Sequence, residues 1–369
     1  LKEMDKEFTP DKVYAMESTF KVFGFMPDNC DIKKTLINML TEQVAGFYDP
    51  QTKKLYLIEE AKKKGFWENL LKSKRDDSED RVIIAHEMTH SLQDQYFDLI
   101  KIESKIKDND DKMLAFQALI EGDAMISMIN YQNYPEQITD DHISVYKTTF
   151  NFISFLMPFT SGGKEFSKTP EVFQKMLLFP YTEGLFFCLS IKGKKGWEII
   201  NDSFKNVPSS TEQILHPEKY FAKEEPINCN IPDFSNLAEQ GFKIVTSNVM
   251  GEFLVSFLFE NNKIIDFSKI AAGWGGDKYA IYEKDGKLSL IWNTTWDSEL
   301  DALEFFEGYK KIFNKKIKDV EWEKSENMLK NSKNGVSNSI HLIKNKVIII
   351  ENMPDNLCPS ILEKILKME

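Results

Sequence analysis

Two histidines four positions apart constrain this chain more than any other feature of its sequence. They open and close the pentad His86-Glu87-Met88-Thr89-His90, which follows an apolar run. On a helix, residues i and i+4 project from one face, so the imidazoles of His86 and His90 can bind a single metal ion. Glu87 stands beside the first histidine, where its carboxylate can reach a water on that metal without being a ligand. In a chain with only 5 histidines, this pattern predicts a metal site.

The flanking residues predict that the pentad lies on a helix packed in a domain core. The acidic stretch from Asp77 to Asp80 supplies an N-cap and a negative first turn. Apolar side chains then recur at helical spacing, namely Val82, Ile83, Ala85, Leu92 and Phe97. The alternative interpretation is a metal-free helical scaffold with two hydrogen-bonded, partly buried histidines.

Zinc is the metal that this pair of histidines suits best, and a zinc site needs a third protein ligand. Zinc accepts neutral imidazole nitrogen, prefers four ligands, and lowers the pKa of a bound water. Glu121 is the best third candidate, because carboxylates are rare in apolar helical segments unless they are paired or bind a metal. The alternative is an ordinary exposed acid near a helix end.

The surroundings of Glu121 also fit a buried helix. Gly122 follows it, which costs helix stability but allows another backbone to approach closely. Glu121 lies 31 positions after His90. This distance leaves room for a loop, at about residues 100–111, and a helix that returns antiparallel to the first.

The pentad and a downstream helix with Glu121 together resemble the gluzincins, the thermolysin-like branch of zinc metallopeptidases. More narrowly, residues 85–99 and 118–124 are similar to a group of prokaryotic gluzincin-like proteins. The resemblance is strongest over residues 44–220, with weaker echoes at 273–277 and 296–299. It implies His86, His90 and Glu121 as ligands of one zinc ion, Glu87 as general base, and a peptide or protein as substrate.

The chain departs from the gluzincin pattern at one position. Thermolysin-like enzymes usually carry a supporting aspartate four positions after the ligand glutamate, and Met125 stands there in this chain. We expect Asp123 or Asp94 to orient a histidine ligand instead. The sequence does not decide between them.

A hydrolase of this kind also needs a donor, downstream of the third ligand, that stabilises the oxyanion. His216 and Tyr181 are the two candidates. His216 precedes Pro217, which favours a turn or loop over a helix, although a lone histidine is more often structural. Tyr181 follows Pro180, which we place at the start of a helix.

Two further segments bear on a substrate site. The β-rich runs at 44–48 and 55–58 flank turn residues and predict a hairpin. Such a strand beside an active-site helix can pair with an extended substrate, or it can be purely structural. The apolar run Phe150–Phe159 predicts core packing, with a cleft wall, a lid or a membrane-touching loop as alternatives.

The expected fold class is α+β with two domains. Residues 1–225 form a mainly helical, zincin-like catalytic domain with a small hairpin sheet, and 226–369 form a smaller α+β domain of unknown role. The second domain is expected to contain helices at 247–260, 298–313 and 359–368, and strands at 279–282, 288–292, 339–343 and 347–351. Its glycine-rich segment 273–277 lacks the Lys-Ser/Thr of a P-loop, so we interpret it as a tight turn around a packed Trp274.

Composition bounds the class of protein. A formal charge of −11 with interspersed acids and bases argues against nucleic-acid binding and favours a soluble protein. No apolar run approaches the roughly 18 residues that span a bilayer. The chain begins at Leu1, which is consistent with a removed N-terminal signal or lipoprotein anchor. Four scattered cysteines without C-x-x-C spacing predict isolated thiols, namely Cys30, Cys188, Cys229 and Cys358.

The sequence therefore predicts a zinc-dependent hydrolase, specifically a metallopeptidase, in which Glu87 deprotonates the attacking water. The alternative is a zinc-bound, non-catalytic protein whose C-terminal domain binds a partner. An open metal position with room for substrate distinguishes the two.

Overall fold

The structure, a computed structural model, describes residues 8–27, 29–43, 46–57, 79–134, 164–318 and 320–368. The chain divides into two compact units, one built mainly from Asn29–Glu224 and the other from Pro10–Asp28 with Glu225–Glu369. The fold class is α+β, with a helical N-terminal region that includes a two-stranded sheet and a C-terminal seven-stranded antiparallel sheet with helices. Among the described residues, no helix is both long and apolar enough to cross a membrane.

The helices and strands are numbered in chain order. Residues up to 224 contain α1 (Pro10–Val22), α2 (Ile32–Gln43), β1 (Gly46–Asp49), β2 (Lys54–Leu57), α3 (Glu79–Phe97), α4 (Leu99–Ile106), α5 (Asp110–Asn133), α6 (Lys164–Lys168), α7 (Glu171–Lys195), α8 (Trp197–Ser203), α9 (Thr211–Leu215) and α10 (Pro217–Ala222). The remainder contains α11 (Ser235–Glu239), β3 (Lys243–Asn248), α12 (Gly251–Asn261), α13 (Phe267–Ala271), β4 (Trp274–Lys284), β5 (Lys287–Trp296), α14 (Glu299–Lys316), β6 (Glu323–Ser325), β7 (Met328–Lys333), β8 (Val336–Ile343), β9 (Lys346–Pro354) and α15 (Cys358–Leu366).

The core of the first unit is formed where α3 and α7 pack against α5. The side chain of Asn109 caps α5 by accepting a hydrogen bond from the Lys112 N–H, and two aspartates follow in its first turn. Four residues in the middle of α5 are fully buried, namely Ala115, Phe116, Ala118 and Leu119, each at 0% exposure. Burial of this apolar surface is what holds the three helices together.

Glycines allow α5 and α7 to touch at their main chains. A Cβ on Gly122 would lie 2.1 Å from the carbonyl oxygen of Gly184, and a Cβ on Gly184 would lie 2.1 Å from that of Ala118. No larger residue fits either position without moving a helix. The prediction that Gly122 permits close approach of another backbone is confirmed.

Two helical predictions in this unit are wrong. The loop expected at 100–111 is largely α4, which starts after Asp98 adopts a left-handed conformation (φ 57°) and caps the helix through the Lys101 N–H. Pro180 lies inside α7 and not at a helix start. A helix-interior proline costs about 3 kcal/mol, but fully burying neighbours such as Phe179 and Leu185 contributes about 1.5–3 kcal/mol each.

The outer face of α3 is less buried than predicted, because Leu92 is 51% exposed. Its predicted cap at Asp77 and Ser78 and the apolar run Phe150–Phe159 lie outside the described residues.

The described part of the predicted hairpin is present. Strands β1 and β2 pair antiparallel from Gly46–Leu57 to Asp49–Lys54.

The second unit is built on one antiparallel sheet with strand order β3-β4-β5-β9-β8-β7-β6. Its central strands supply the core, where Ile291, Ile348 and Ile350 pack with Phe234 and with Ile361 of α15. Four strands and three helices were predicted near their observed bounds. Strands β3, β6 and β7 were not predicted; β3 overlaps the start of the helix expected at 247–260.

Helix α1 and the residues that follow it belong to this second unit, which differs from the predicted domain 1–225. The ring of Phe23 meets those of Tyr279 and Trp292 edge-on, at centroid distances of 5.4 and 5.1 Å. Phe25 packs against Phe257 of α12 at 5.2 Å. These aromatic contacts complete the core beside β4 and β5.

The glycine-rich segment 273–277 begins strand β4 and is not the tight turn that we predicted. Trp274 is buried, as expected, and its indole N–H donates to the carboxylate of Asp277. That carboxylate also accepts the Trp292 indole and the N–H groups of Met250 and Gly251 at the start of α12. Asp277 thus joins strand β4 to the start of helix α12 through hydrogen bonds.

The four cysteines are free thiols, which confirms the prediction.

Candidate metal centre

The two histidines of the pentad and Glu121 converge on one point in the first unit. The Nε2 atoms of His86 and His90, both on α3, lie 3.0 Å apart. The Oε2 atom of Glu121, on α5, is 3.1 Å from the first nitrogen and 3.5 Å from the second. All three side chains that the sequence proposed as ligands are therefore brought together.

The spacing of these three atoms suits zinc. Ligand atoms that bind tetrahedrally at about 2.0–2.2 Å lie roughly 3.3–3.6 Å from one another. The observed distances of 3.0, 3.1 and 3.5 Å need only small adjustments to meet that requirement. Two imidazoles and one carboxylate are also the donor set of many catalytic zinc sites, which leave a fourth position for water.

When no metal is bound, the same groups form a buried ion pair. Burial opposes a charged imidazole, but the carboxylate of Glu121 outweighs it and raises the pKa of His90 to about 9. Burial likewise opposes the charged carboxylate, but His90 and His86 hold the pKa of Glu121 well below its usual range. A divalent cation would replace the imidazole proton as the partner of this carboxylate.

Gln93 fixes the tautomer of His90. The Gln93 amide nitrogen donates to the Ile120 carbonyl at 3.0 Å and to the Asp123 carboxylate at 2.8 Å. Its amide oxygen must then face the Nδ1 of His90, 3.0 Å away, and accept a hydrogen bond from the Nδ1–H. With the proton on Nδ1, the lone pair of Nε2 is directed at the metal position.

The two aspartates proposed to orient a histidine have different partners. Asp123 acts on His90 through Gln93, whereas Asp94 accepts the hydroxyl of Tyr48 at 2.8 Å and the Lys53 ammonium at 2.6 Å. Sequence reasoning did not single out Gln93 or Tyr48. The only available signal for Gln93 was its position one helical turn after His90.

Glu87 is buried and held by the hairpin. Its Oε2 accepts the Tyr48 N–H at 2.8 Å, so the outer edge of β1 faces α3 at this residue. Since the same tyrosine binds Asp94 through its hydroxyl, one residue of β1 contacts α3 at two points two turns apart. An extended substrate cannot use the Tyr48 N–H while Glu87 occupies it.

A pocket of about 400 Å³ opens beside these groups and includes His90 and Glu121 in its lining. Tyr181 also lines it, with its ring 6.3 Å from that of His86. Burial raises the pKa of Tyr181 well above its usual value, and the charges of Glu121 and Glu87 raise it further. Its hydroxyl stays protonated and is a hydrogen-bond donor inside the pocket.

His216, the other predicted oxyanion donor, lies elsewhere in the same unit. It joins α9 to α10, and its Nδ1 is 3.7 Å from the carboxylate of Glu218. It is not among the described residues that line the pocket. Of the two candidates, the geometry therefore favours Tyr181.

Comparison with known proteins found a match only for part of the second unit. Residues 240–355 match a family model described as Domain of unknown function (DUF8575), which covers less than half of the chain. No curated protein and no solved structure matches the chain. All residues of the candidate metal centre lie outside the matched segment.

Proposed function

We propose that the protein is a zinc-dependent hydrolase that cleaves peptide bonds. The observation that carries this proposal is the convergence of His86, His90 and Glu121 at ligand spacing, next to a pocket of about 400 Å³. An acid, Glu87, follows the first ligand directly. This combination is what metal-assisted hydrolysis requires.

The two imidazoles and the Glu121 carboxylate would be the protein ligands of the zinc ion. When bound, zinc would lower the pKa of a coordinated water toward neutrality and polarise a substrate carbonyl. Gln93 holds His90 in the tautomer that presents Nε2, and Asp123 holds Gln93. Metal binding is thereby prepared by hydrogen bonds that already exist in the folded chain.

Glu87 is assigned as general base. Its carboxylate would accept a proton from the attacking water and pass it to the leaving amine. The Tyr48 N–H, bonded to Oε2, restricts the rotation of this carboxylate and leaves Oε1 to act. Tyr181 would donate its hydroxyl proton in a hydrogen bond to the oxygen of the scissile carbonyl as negative charge develops there.

The proposal is tested in two stages, first by zinc content and then by peptide hydrolysis. Purified protein is expected to hold about one zinc per chain, and the double variant His86→Ala/His90→Ala is expected to lose it. A mixed peptide library is then digested with and without a chelator. We expect chelator-sensitive cleavage by the wild type and a loss of roughly 10²–10⁴-fold in Glu87→Gln, with zinc retained.

Glu198→Gln is the matched control, because it removes an exposed carboxylate on α8. It should cleave as the wild type does. Equal cleavage by Glu87→Gln and the wild type would refute the mechanism. Zinc binding without cleavage of any peptide would refute hydrolysis and favour the non-catalytic zinc protein.

A further inference from the structure

A groove of about 960 Å³ lies beside α3 and is separate from the pocket at the metal centre. All of its described lining residues belong to the first unit, and most come from α3, from α4 and from residues 197–207. The rings of Phe97 and Phe204 stack within it at a centroid distance of 4.5 Å. Clefts that bind ligands measure about 300–1,000 Å³, so this groove has room for several side chains.

Three large apolar side chains in the lining are exposed. Leu92 and Tyr96, one turn apart on α3, are 51% and 78% exposed. Trp197, at the start of α8, is 41% exposed even though the ammonium of Lys192 lies over its ring at 4.9 Å. Single exposed apolar residues are common, but a group that includes tyrosine and tryptophan in one groove is typical of a surface that binds another protein.

The charged groups of the lining are mostly lysines, namely Lys101, Lys105 and Lys205. The acid among the described lining residues is Asp123, which is buried. Lys205 is paired with the carboxylate of Asp202 at 3.0 Å. Lys101 and Lys105 are both exposed, and within the described ranges neither forms an ion pair. The lining therefore carries a net positive charge even when Asp202 is counted with it.

Other charged groups near α4 and α3 do not reverse this sign. Helix α4 places Glu103 in the lining of the metal pocket, whereas its two lysines line the groove. The carboxylate of Asp98 is directed at the Lys101 N–H, where it caps the helix. A charged His90, or a cation bound to it, would add positive charge behind Gln93. The groove thus favours a ligand with negative charges beside apolar groups.

The spacing of the exposed groups matches a helical ligand. Lys101 and Lys105 are one turn apart, with Cβ atoms about 5–6 Å from each other. Acidic side chains one turn apart on a second helix have the same spacing and can pair with both. Leu92 and Tyr96 repeat at the same interval on α3. An amphipathic helix laid in an apolar groove is a common mode of peptide recognition.

The polar groups of the groove favour a peptide over a lipid chain. The side chains of Asn201 and Ser127 line it and have no hydrogen bond among the described residues. An acyl chain would remove them from water without giving them a partner. A polypeptide offers side chains and amide groups that can donate to them and accept from them.

We propose that this groove binds an amphipathic helical segment of a partner protein. Leucine-like side chains of the segment would pack on Leu92, Tyr96 and Trp197, and its acidic side chains would pair with Lys101 and Lys105. Neither zinc nor hydrolysis is needed for this binding, so the proposal is independent of the proposed function.

Binding is measured by fluorescence anisotropy on the full chain in the Glu87→Gln background, which prevents turnover. The probes are labelled peptides Leu-X-X-Leu-Leu-X-X-Leu-X-X-Leu with blocked ends and X = glutamate, glutamine or lysine. We expect the glutamate peptide to bind more tightly than the glutamine peptide, by roughly 2–30-fold, which corresponds to two exposed ion pairs. The lysine peptide should bind most weakly, and added salt should reduce the differences.

Two sets of variants assign the binding to the groove. Lys101→Gln/Lys105→Gln should abolish the preference for glutamate over glutamine, while Lys107→Gln, an exposed lysine just after α4, should retain it. Tyr96→Ala should weaken the binding of both peptides by roughly 5-fold or more. Tyr131→Ala removes an exposed tyrosine of α5 that is not among the described lining residues, and it should bind as the parent does. Melting temperatures verify that each variant is folded.

Four results would overturn the proposal. The first is that no peptide binds, and the second is that the glutamine peptide binds as tightly as the glutamate peptide. The third is an unchanged preference in Lys101→Gln/Lys105→Gln, or equal effects of Tyr96→Ala and Tyr131→Ala. The fourth is binding of dodecanoate that depends on Tyr96 and excludes the glutamate peptide, which would identify the groove as a lipid site.

Discussion

The amide of Gln93 determines which nitrogen of His90 faces the metal position. It does so because its own nitrogen is occupied by the Ile120 carbonyl and by Asp123, so only its oxygen is left for Nδ1. In the proposed zinc site, the carboxylate–histidine arrangement common in such sites is extended by one residue. Met125, at the position where the gluzincin pattern has an aspartate, is buried and takes no part.

Removing this amide should weaken metal binding without unfolding the protein. We expect Gln93→Leu to lower zinc affinity roughly 10–100-fold, because Nδ1 loses its acceptor and the ring its orientation. Competition with a chromophoric chelator measures the effect. Gln95→Leu, an exposed position on the same helix, is the control and should bind zinc as the wild type does. Unchanged affinity in Gln93→Leu would show that the tautomer is set by other contacts.

The pKa of His90 predicts opposite responses of folding and metal binding to pH. Its folded value of about 9 exceeds the usual 6.5, so the pair with Glu121 stabilises the metal-free protein fully below pH 6.5. That contribution is lost as the pH rises to 9. Zinc requires the neutral imidazole, so over the same window its affinity should increase.

Calorimetry of metal-free protein and chelator competition, each between pH 6.5 and 9, check these two trends. As the pH rises, the melting temperature of the metal-free protein should fall, and the apparent Kd for zinc should also fall. His90→Gln should remove this part of the pH dependence of melting. A zinc Kd that rises with pH in this window would contradict the proposed ligand.

Much of the site could be predicted at the scale of single residues, and the reason is periodicity. The spacing of His86 and His90 placed both on one helix face, and an acid in an apolar helix identified Glu121. Gln93 could not be assigned, because its partners are 27 and 30 residues away and appear only once α3 packs on α5. Tyr48 acts on Glu87 through a backbone N–H, which every residue except proline has.

At the scale of helices and strands, the contact between α5 and α7 positions the pocket. Gly122 adjoins Glu121, a proposed metal ligand, and Gly184 lies three residues after Tyr181. The two glycines let the helices meet backbone to backbone. Glu121 and Tyr181 are thereby brought into the same pocket.

Gly122→Ala should destabilise the protein by about 3 kcal/mol or more, since its Cβ would meet main-chain atoms that cannot rotate away. Denaturant unfolding measures this loss, and zinc affinity should fall with it because Glu121 is displaced. Gly193→Ala, at an exposed position in α7, should be neutral or slightly stabilising. A small change in the free energy of unfolding of Gly122→Ala would mean that α5 and α7 can move apart at little energetic cost.

The elements that sequence analysis missed or misplaced have different physical causes. Helix α4 begins at a left-handed Asp98, and that conformation has no marker in the sequence. Strands β6 and β7 consist largely of polar residues, so they lack the apolar alternation that signals a strand. Proline usually begins or ends a helix, but burial of the apolar side chains of α7 keeps Pro180 inside it.

At the scale of the whole molecule, the chain contributes to the second unit twice. Helix α1 and Phe23 come first, and the sheet follows more than 200 residues later. No local pattern in the sequence shows that an N-terminal helix packs with distant strands. The domain boundary near residue 225 was predicted, whereas the return of residues 10–28 to the second unit was not.

Phe23→Ala should therefore weaken the second unit. The ring is buried against Tyr279 and Trp292, and truncating such a phenylalanine costs about 3–5 kcal/mol. Thermal unfolding followed by tryptophan fluorescence measures the loss. Asp11→Asn, at an exposed position of the same helix, is the control. Equal stability of both variants would contradict the assignment of α1 to this unit.

The glycine contact between α5 and α7 also has a consequence for which parts of the pocket can vary in sequence. Any side chain at Gly122 or Gly184 would push apart the helices that carry Glu121 and Tyr181, so the pocket and a proposed metal ligand would move together. Helix α4 also lines the pocket, and it carries none of the three proposed metal ligands. Under the proposed function, exchanges on α4 would alter which substrates are accepted and leave the proposed catalytic groups in place. Specificity could then diversify separately from the reaction.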